Sequence, residues 1–149
     1  MEILAIIPAR GGSKGISSKN IQNVGGIPLV VRTINAALKS KLINKIIVST
    51  DDNRIADVAI DNGVEVIKRP SIISGDTASS ESALLDTLMQ IKNKDNYVPE
   101  IVVFLQCTSP FTVLDDIDGT INTLVSSDAD CALAVTKFDH FLWKYDKNQ

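Results

Sequence analysis

Ile3-Leu4-Ala5-Ile6-Ile7-Pro8, continuing into Ala9-Arg10-Gly11-Gly12-Ser13-Lys14-Gly15, sets the architecture of this chain. Six consecutive residues without a charge, five of them aliphatic, are what a strand buried on both faces requires, because neither side of its pleat meets water. The composition then changes abruptly. Residues 9–27 are rich in Gly, Ser, Lys and Asn and carry no helical period, so they read as one long loop. Loops of that length inside a compact domain are usually functional.

Working outward, Pro28 opens a helical pattern in which Val30, Ile34, Ala37 and Leu38 share a face. Lys45-Ile46-Ile47-Val48-Ser49 reads as a second strand. Ile55, Val58, Ala59 and Ile60 mark a helix stopped by Asn62-Gly63, and Val64–Ile67 is a third strand ended by Arg69-Pro70. A polar loop over 70–77 leads to a helix with Leu84, Leu85, Leu88, Met89 and Ile91 at helical spacing. Ile101–Leu105 reads as the clearest buried strand. Asp115 and Asp116 favour a helix start, continued by Ile117, Ile121, Leu124 and Val125, and Cys131–Val135 is expected to be a fifth strand. This alternation predicts an α/β fold, a mostly parallel sheet with helices on both faces in three layers. Ligands of such sheets sit at the carboxyl ends of the strands, where the loops after Ile7, Val48, Ile67 and Leu105 meet. No linker or domain boundary interrupts residues 1–149, which are read as a single domain.

The 149 residues, 44% hydrophobic and 22% charged, suit one globular domain. The apolar run at 3–8 is too short for a membrane span or a signal peptide, and no other stretch is long enough to cross a bilayer, so a cytoplasmic location and no membrane partner are expected. Cys107 and Cys131 form neither a metal spacing nor a disulfide framework and are expected to be buried free thiols; the single His140 cannot build a zinc site. Charge is distributed unevenly. Residues 3–50 hold no Asp or Glu, so residues 1–50 carry +6 and residues 51–149 carry −9, within a net charge of −3. That asymmetry points to an anionic ligand handled by the first third. The acidic balance and 5% aromatic content argue against a nucleic-acid partner.

The loop after the first strand carries the chemistry. Glycines 11, 12 and 15 let backbone N–H groups approach an anion closely, Arg10 offers a forked donor, and Lys14 and Lys19 offer point charges. Three cations within ten residues, with no carboxylate nearby in sequence, suit a triphosphate; the alternative is a solvated Gly-rich surface loop. A Walker A loop is excluded because no Gly-Lys-Ser/Thr occurs, and the dinucleotide fingerprint G-x-G-x-x-G is absent from this turn.

Pro8-Ala9-Arg10-Gly11-Gly12-Ser13-Lys14-Gly15 with Lys19-Asn20-Ile21 is similar to the N-terminal signature of the acylneuraminate cytidylyltransferases, the CMP-sialic acid synthetases. The similarity continues through Ile46–Asp51, Gly63–Val66, Arg69-Pro70, Asp76–Ser80 and Leu105–Pro110, nearly the whole chain in order. The resemblance implies a nucleotidyltransferase-like, Rossmann-like fold. It implies transfer of CMP from CTP to a sialic acid or related nonulosonic acid with release of pyrophosphate, Mg²⁺ assisting. It implies Arg10 and Lys19 as catalytic charge stabilisers. Arg10, Gly11, Ser13, Lys14, Lys19, Asn20, Arg69 and Ser80 would bind the nucleotide, and Gln106 would face the acceptor. A homodimer is expected for the full-length family.

Read without the family, several of these residues have plainer roles. Ser79 or Ser80 and Asp52 suit helix caps, Asp51 and Asp52 suit positioning of metal or substrate, and Arg69 and Gln106 suit ordinary loop duties. His140 is kept as a weak acceptor-side candidate. Cys107 stands where many relatives have Pro, and Phe111-Thr112 where many have Leu-Arg. Phe138, Phe141, Trp143 and Tyr145 close to Gln149 read as a cut inside a larger domain, so the chain is expected to be incomplete at its C-terminus. The resemblance implies an Asp-x-Asp motif that holds the metal and is expected beyond residue 149, so the metal ligands are left unassigned; weak CTP binding, if any, and poor turnover are expected. The competing readings are a truncated non-catalytic nucleotide-binding module and CMP transfer to 3-deoxy-octulosonate.

Overall fold

The computed structural model describes residues 1–13, 15–75 and 78–137. Lys14 and the aromatic segment with His140 therefore lie outside the described residues. Strand β1 (Ile3–Pro8) is followed by a 3-10 turn at Lys19–Ile21 and a two-stranded antiparallel hairpin, β2 (Asn23–Val24) and β3 (Ile27–Pro28). Helix α1 (Leu29–Lys39), strand β4 (Lys45–Thr50), helix α2 (Asn53–Asp61) and strand β5 (Glu65–Lys68) come next. Helix α3 (Ser80–Asp95), strand β6 (Ile101–Phe104) and helix α4 (Leu114–Ser126) complete the order.

The main sheet has the order β5-β4-β1-β6, and every pairing in it is parallel. Its centre is β1, with Ile6 opposite Ile47 on one side and Phe104 on the other. The continuous apolar run follows from burial on both faces. Leu4 and Ile6 pack with Ile47 and Ile91 of α3, whereas Ile7 packs with α1 and α2, and Ile3 packs with Ala36 and with Ile117 and Ile121 of α4. Helices therefore cover both faces, as the alternation predicts. Each fully buried Ile contributes about 1.5–3 kcal/mol of transfer free energy.

Local signals explain the helix ends. The Asp52 carboxylate accepts the Arg54 N–H at 2.8 Å and caps α2, and Gly63 at φ +78° closes it in a conformation that suits glycine. Ser79 caps α3 through the Ser82 N–H. The Val113 N–H donates to Asp116 at 3.0 Å, so the acidic pair opens α4 as expected.

Several expectations need correction. The loop over 9–27 contains the 3-10 turn and the hairpin, both too short to show a period. Strand 101–105 is not the most buried: β6 is an edge of the described sheet, and Val102 and Phe104 keep one side partly open. Cys131–Val135 forms no strand; Leu133 and Val135 are exposed and no described strand pairs with this run, so apolar residues alone give it no hydrogen-bond ladder. Cys131 is accordingly exposed, while Cys107 is buried as expected. In α3 the buried stripe is Ala83, Thr87 and Ile91, leaving Leu85 and Met89 exposed. Leu38, Ile60 and Val125 also face out at the edges of their helical stripes.

Candidate functional site

The chain leaves β1, builds β4 and β5 in one direction, and then returns to place β6 on the other side of β1. Between the carboxyl ends of β1 and β6 the connections diverge, and a crevice must open there. A cleft of about 590 Å³ occupies that position. Its walls come from four places: the turn after β1 (Arg10, Ser13, Gly15, Ile16), the 3-10 turn (Lys19, Asn20), Arg69 with the start of α3 (Ala78, Ser79, Ser80), and the end of β6 (Phe104, Gln106, Cys107, Thr108).

Of the residues singled out in the sequence, Arg10, Ser13, Lys19, Asn20, Arg69, Ser80 and Gln106 all line this one cleft. Residues ninety-six positions apart in the chain thus line one cleft, because parallel strands deliver their following loops to the same edge. Gly11 sits behind the lining. Its N–H donates to Asp51 Oδ1 at 2.9 Å.

Backbone and side-chain bonds hold the turn. The Ala9 N–H donates to the Ser49 carbonyl at 2.9 Å, carrying β1 one residue beyond its pairing with β4. Asn20, almost fully buried, donates from Nδ2 to the Arg10 carbonyl at 2.9 Å and fixes the residue that presents the guanidinium. Arg10 itself donates from Nη1 to the Gly75 carbonyl at 2.8 Å. Thr108 donates to the Gln106 side-chain oxygen at 3.2 Å, orienting that amide.

Arg69 is the least expected member. It is only 6% exposed, and it donates from Nε to Ser49 Oγ at 3.2 Å and from Nη2 to the Ser49 carbonyl at 2.6 Å. Burial pushes its pKa down; the carboxylates of Asp51 and Asp86 oppose that shift, and Arg10 adds slightly to it. A guanidinium stays charged near neutrality all the same. The sequence marks Arg69 only as the residue before a proline and gives no sign that it is a buried cation.

Cys107 lies in the wall with its thiol pushed up to about 11, chiefly by burial, with the Lys19 charge among the opposing influences. A neutral thiol at that pKa is a poor nucleophile. Among the described residues the lining holds three cations, Arg10, Lys19 and Arg69, and no Asp or Glu. Such a surface is built to hold an anion and to stabilise charge on it.

The turn has no carboxylate nearby in sequence, but Asp51 stands directly behind it in space. The available signal was Thr50-Asp51-Asp52 at the end of the strand that pairs with β1.

The described residues offer little for a divalent metal. They contain no group of three or more His, Cys, Asp or Glu able to hold one. Asp51 is engaged by Gly11, and Asp52 by the Arg54 N–H and guanidinium. A Mg²⁺ ion takes oxygen ligands from carboxylates and phosphates, and the protein share of that set is not supplied by the described cleft wall. No helix among the described residues is long and apolar enough to cross a membrane.

Comparisons with known proteins agree with this geometry. Residues 4–147 match the family model described as cytidylyltransferase. The chain is 36% identical over 142 residues to the N-acylneuraminate cytidylyltransferase A of Danio rerio, covering 95% of this chain and 32% of that protein. It is 42% identical over 112 residues to the CMP-N,N'-diacetyllegionaminic acid synthase of Legionella pneumophila, covering 74% of this chain and 48% of that protein. The chain thus spans about a third to a half of the length of these relatives. Among solved structures, CMP:2-keto-3-deoxy-manno-octonic acid synthetase complexed with CTP superposes with a TM-score of 0.73 at 21% identity, over 87% of this chain and 49% of that one. 4-Diphosphocytidyl-2C-methyl-D-erythritol synthase does so at 0.63 and 9% identity, over 85% and 55%. Those two likenesses establish a shared fold. With a family match over nearly its whole length and a cation-lined cleft at the switch point of a parallel sheet, the chain belongs to the cytidylyltransferase family.

Proposed function

We propose that this cleft is the nucleotide end of a site that transfers CMP from CTP to a sialic acid or a closely related nonulosonic acid, releasing pyrophosphate. One observation carries the reading: Arg10, Lys19 and Arg69 converge on one cleft with no carboxylate among its described lining residues, and Gln106 lines the same cleft from the end of β6. The names of the relatives from Danio rerio and Legionella pneumophila supply the acceptor class.

In this reading the acceptor hydroxyl attacks the α-phosphorus of CTP, and pyrophosphate leaves. The protein's work is positioning and electrostatic stabilisation. Arg10 and Lys19 hold the polyphosphate and offset the charge that grows on the departing oxygens. Ser13 and Asn20 shape the turn that carries them. Arg69 and Ser80 lie where the nucleoside would rest, and the Gln106 amide, oriented by Thr108, meets the acceptor. Mg²⁺, expected for this chemistry, would neutralise phosphate charge when bound; among the described residues the cleft wall offers no carboxylate to hold it.

Calorimetry with CTP, UTP, ATP and GTP, followed by assays of CMP-sugar formation with N-acetylneuraminate, a legionaminate-type acid and 3-deoxy-octulosonate, tests the reading. Selective CTP binding and transfer to a nine-carbon acid at low turnover are expected. Binding without transfer to any acceptor would favour a non-catalytic module, and preferred transfer to 3-deoxy-octulosonate would reassign the acceptor.

A further inference from the structure

We propose that Asp51 is a positioning residue that holds the anion-gripping turn in its binding shape by accepting the Gly11 N–H, so that Gly11 serves as the anchor of the turn and the phosphates are left to its neighbours. The inference deepens the CTP-binding reading above and rests on it.

Three observations converge on this role. The Gly11 N–H is already committed to Asp51 Oδ1 at 2.9 Å, so it points away from the cleft, and Gly11 is not part of the lining. Gly11 also packs against the next residue: a Cβ placed there would lie 2.7 Å from Asp52 Cβ and 2.7 Å from Asp52 Oδ2. Only glycine allows the turn to approach the Asp51-Asp52 corner this closely. Finally, Arg54 donates to Asp52 Oδ2 at 2.6 Å and to Ser18 Oγ at 3.2 Å, tying the far end of the same loop to the same corner. The corner at the end of β4 thus holds both ends of the loop, whose residues Arg10, Ser13 and Gly15 face the cleft.

A carboxylate placed behind a phosphate cradle repels the ligand unless its charge is offset. Around Asp51 that offset comes from the Gly11 N–H and from Arg69, on whose ionisation Asp51 acts. The accepted hydrogen bond, rather than the negative charge, is therefore the useful part. The conservative amide, which keeps an oxygen acceptor and loses the charge, should preserve the function.

The test is NMR titration of the 149-residue chain with CTP to millimolar concentration, comparing wild type, Asp51→Ala and Asp51→Asn. Hydrogen exchange of the Gly11 and Gly12 amides is followed in the absence of nucleotide. Asp51→Ala is expected to weaken CTP binding about tenfold or more, the loss that follows when a partly buried N–H is left without its acceptor. Asp51→Asn should stay within about threefold of wild type. The Gly11 amide should exchange more slowly than the Gly12 amide in wild type and in Asp51→Asn. Should Asp51→Ala fail to fold, the Asp51→Asn titration and the wild-type exchange rates still decide the matter. Equal CTP affinity in Asp51→Ala and wild type overturns the positioning role and leaves the proposed function standing. Equal losses in the Ala and Asn variants overturn it too, as does a Gly11 amide that exchanges as fast as Gly12. A wild-type chain that binds no CTP overturns the proposed function and this role with it.

Discussion

Replacing Arg69 with methionine separates a structural arginine from a ligand-binding one. Two opposed effects act on stability. The variant loses a charge-assisted hydrogen bond to the Ser49 carbonyl and one to Ser49 Oγ, and bonds to charged groups are worth about 1.5–3 kcal/mol. It also removes a cation that is only 6% exposed, and the penalty for holding such an ion out of water is itself several kcal/mol. The Ser49 carbonyl is not orphaned, because it keeps the Ala9 N–H at 2.9 Å. Methionine fills much of the same volume with flexible apolar atoms. The two effects nearly cancel, so unfolding stability should move by no more than about 1 kcal/mol in either direction. Nucleotide binding has no such compensation. Losing the buried cation from the cleft should weaken CTP by about 10- to 100-fold, the equivalent of about 1.4–2.8 kcal/mol. Urea unfolding gives the first quantity and calorimetry with CTP the second. A variant destabilised by several kcal/mol that still binds CTP normally would show that Arg69 is a structural buried cation and would refute this reasoning.

Four further outcomes follow from named contacts. At near-neutral pH a thiol reagent should label exposed Cys131 rapidly and leave buried Cys107 unlabelled until the chain unfolds, as counted by mass spectrometry. Because the Cys107 thiol is raised from 9.0 to about 11, the unfolded chain releases that proton first; stability should therefore fall between about pH 9 and 11. Cys107→Ala should flatten that part of the profile, leaving the later fall due to Tyr97, raised to about 12. Asp52→Ala removes the cap of α2 and should cost about 1 kcal/mol by urea unfolding; the Asp52 pKa is lowered, mainly by the Arg54 side chain, so this contribution should be present above pH 3.8 and disappear as the pH falls through the lower folded value. Gly63→Ala, at φ +78° with open space around it, should destabilise by roughly 1–2 kcal/mol through backbone strain alone.

Much of the architecture was legible because its determinants are local. The uninterrupted apolar run at 3–8 announces a central parallel strand, the Asn62-Gly63 pair announces a helix stop, and Asp115-Asp116 announces a helix start. Parallel topology then brings Arg10, Arg69 and Gln106 to one edge without any need to know their contacts. What stayed hidden depends on pairing in three dimensions. Val102 and Phe104 look like core residues until β6 is seen at the edge of the described sheet. Leu133 and Val135 have strand-like composition but no neighbour to bond with. Leu85 and Met89 lie at helical spacing with Leu88, yet α3 turns Ala83, Thr87 and Ile91 inward, and apolarity does not reveal which of two adjacent stripes a sheet will select. The contacts of Arg69 and Asp51 were hidden for a related reason: the parallel register brings each to a partner on a neighbouring segment, Ser49 for the one and Gly11 for the other.

The most direct test of the account is a crystal structure of the chain with CTP bound. The triphosphate should lie against Arg10 and Lys19 in the crevice between the carboxyl ends of β1 and β6, with the nucleoside toward Arg69 and Ser80. CTP found at any other place on the molecule, or a fully occupied cleft in which the phosphates avoid Arg10 and Lys19, would contradict it.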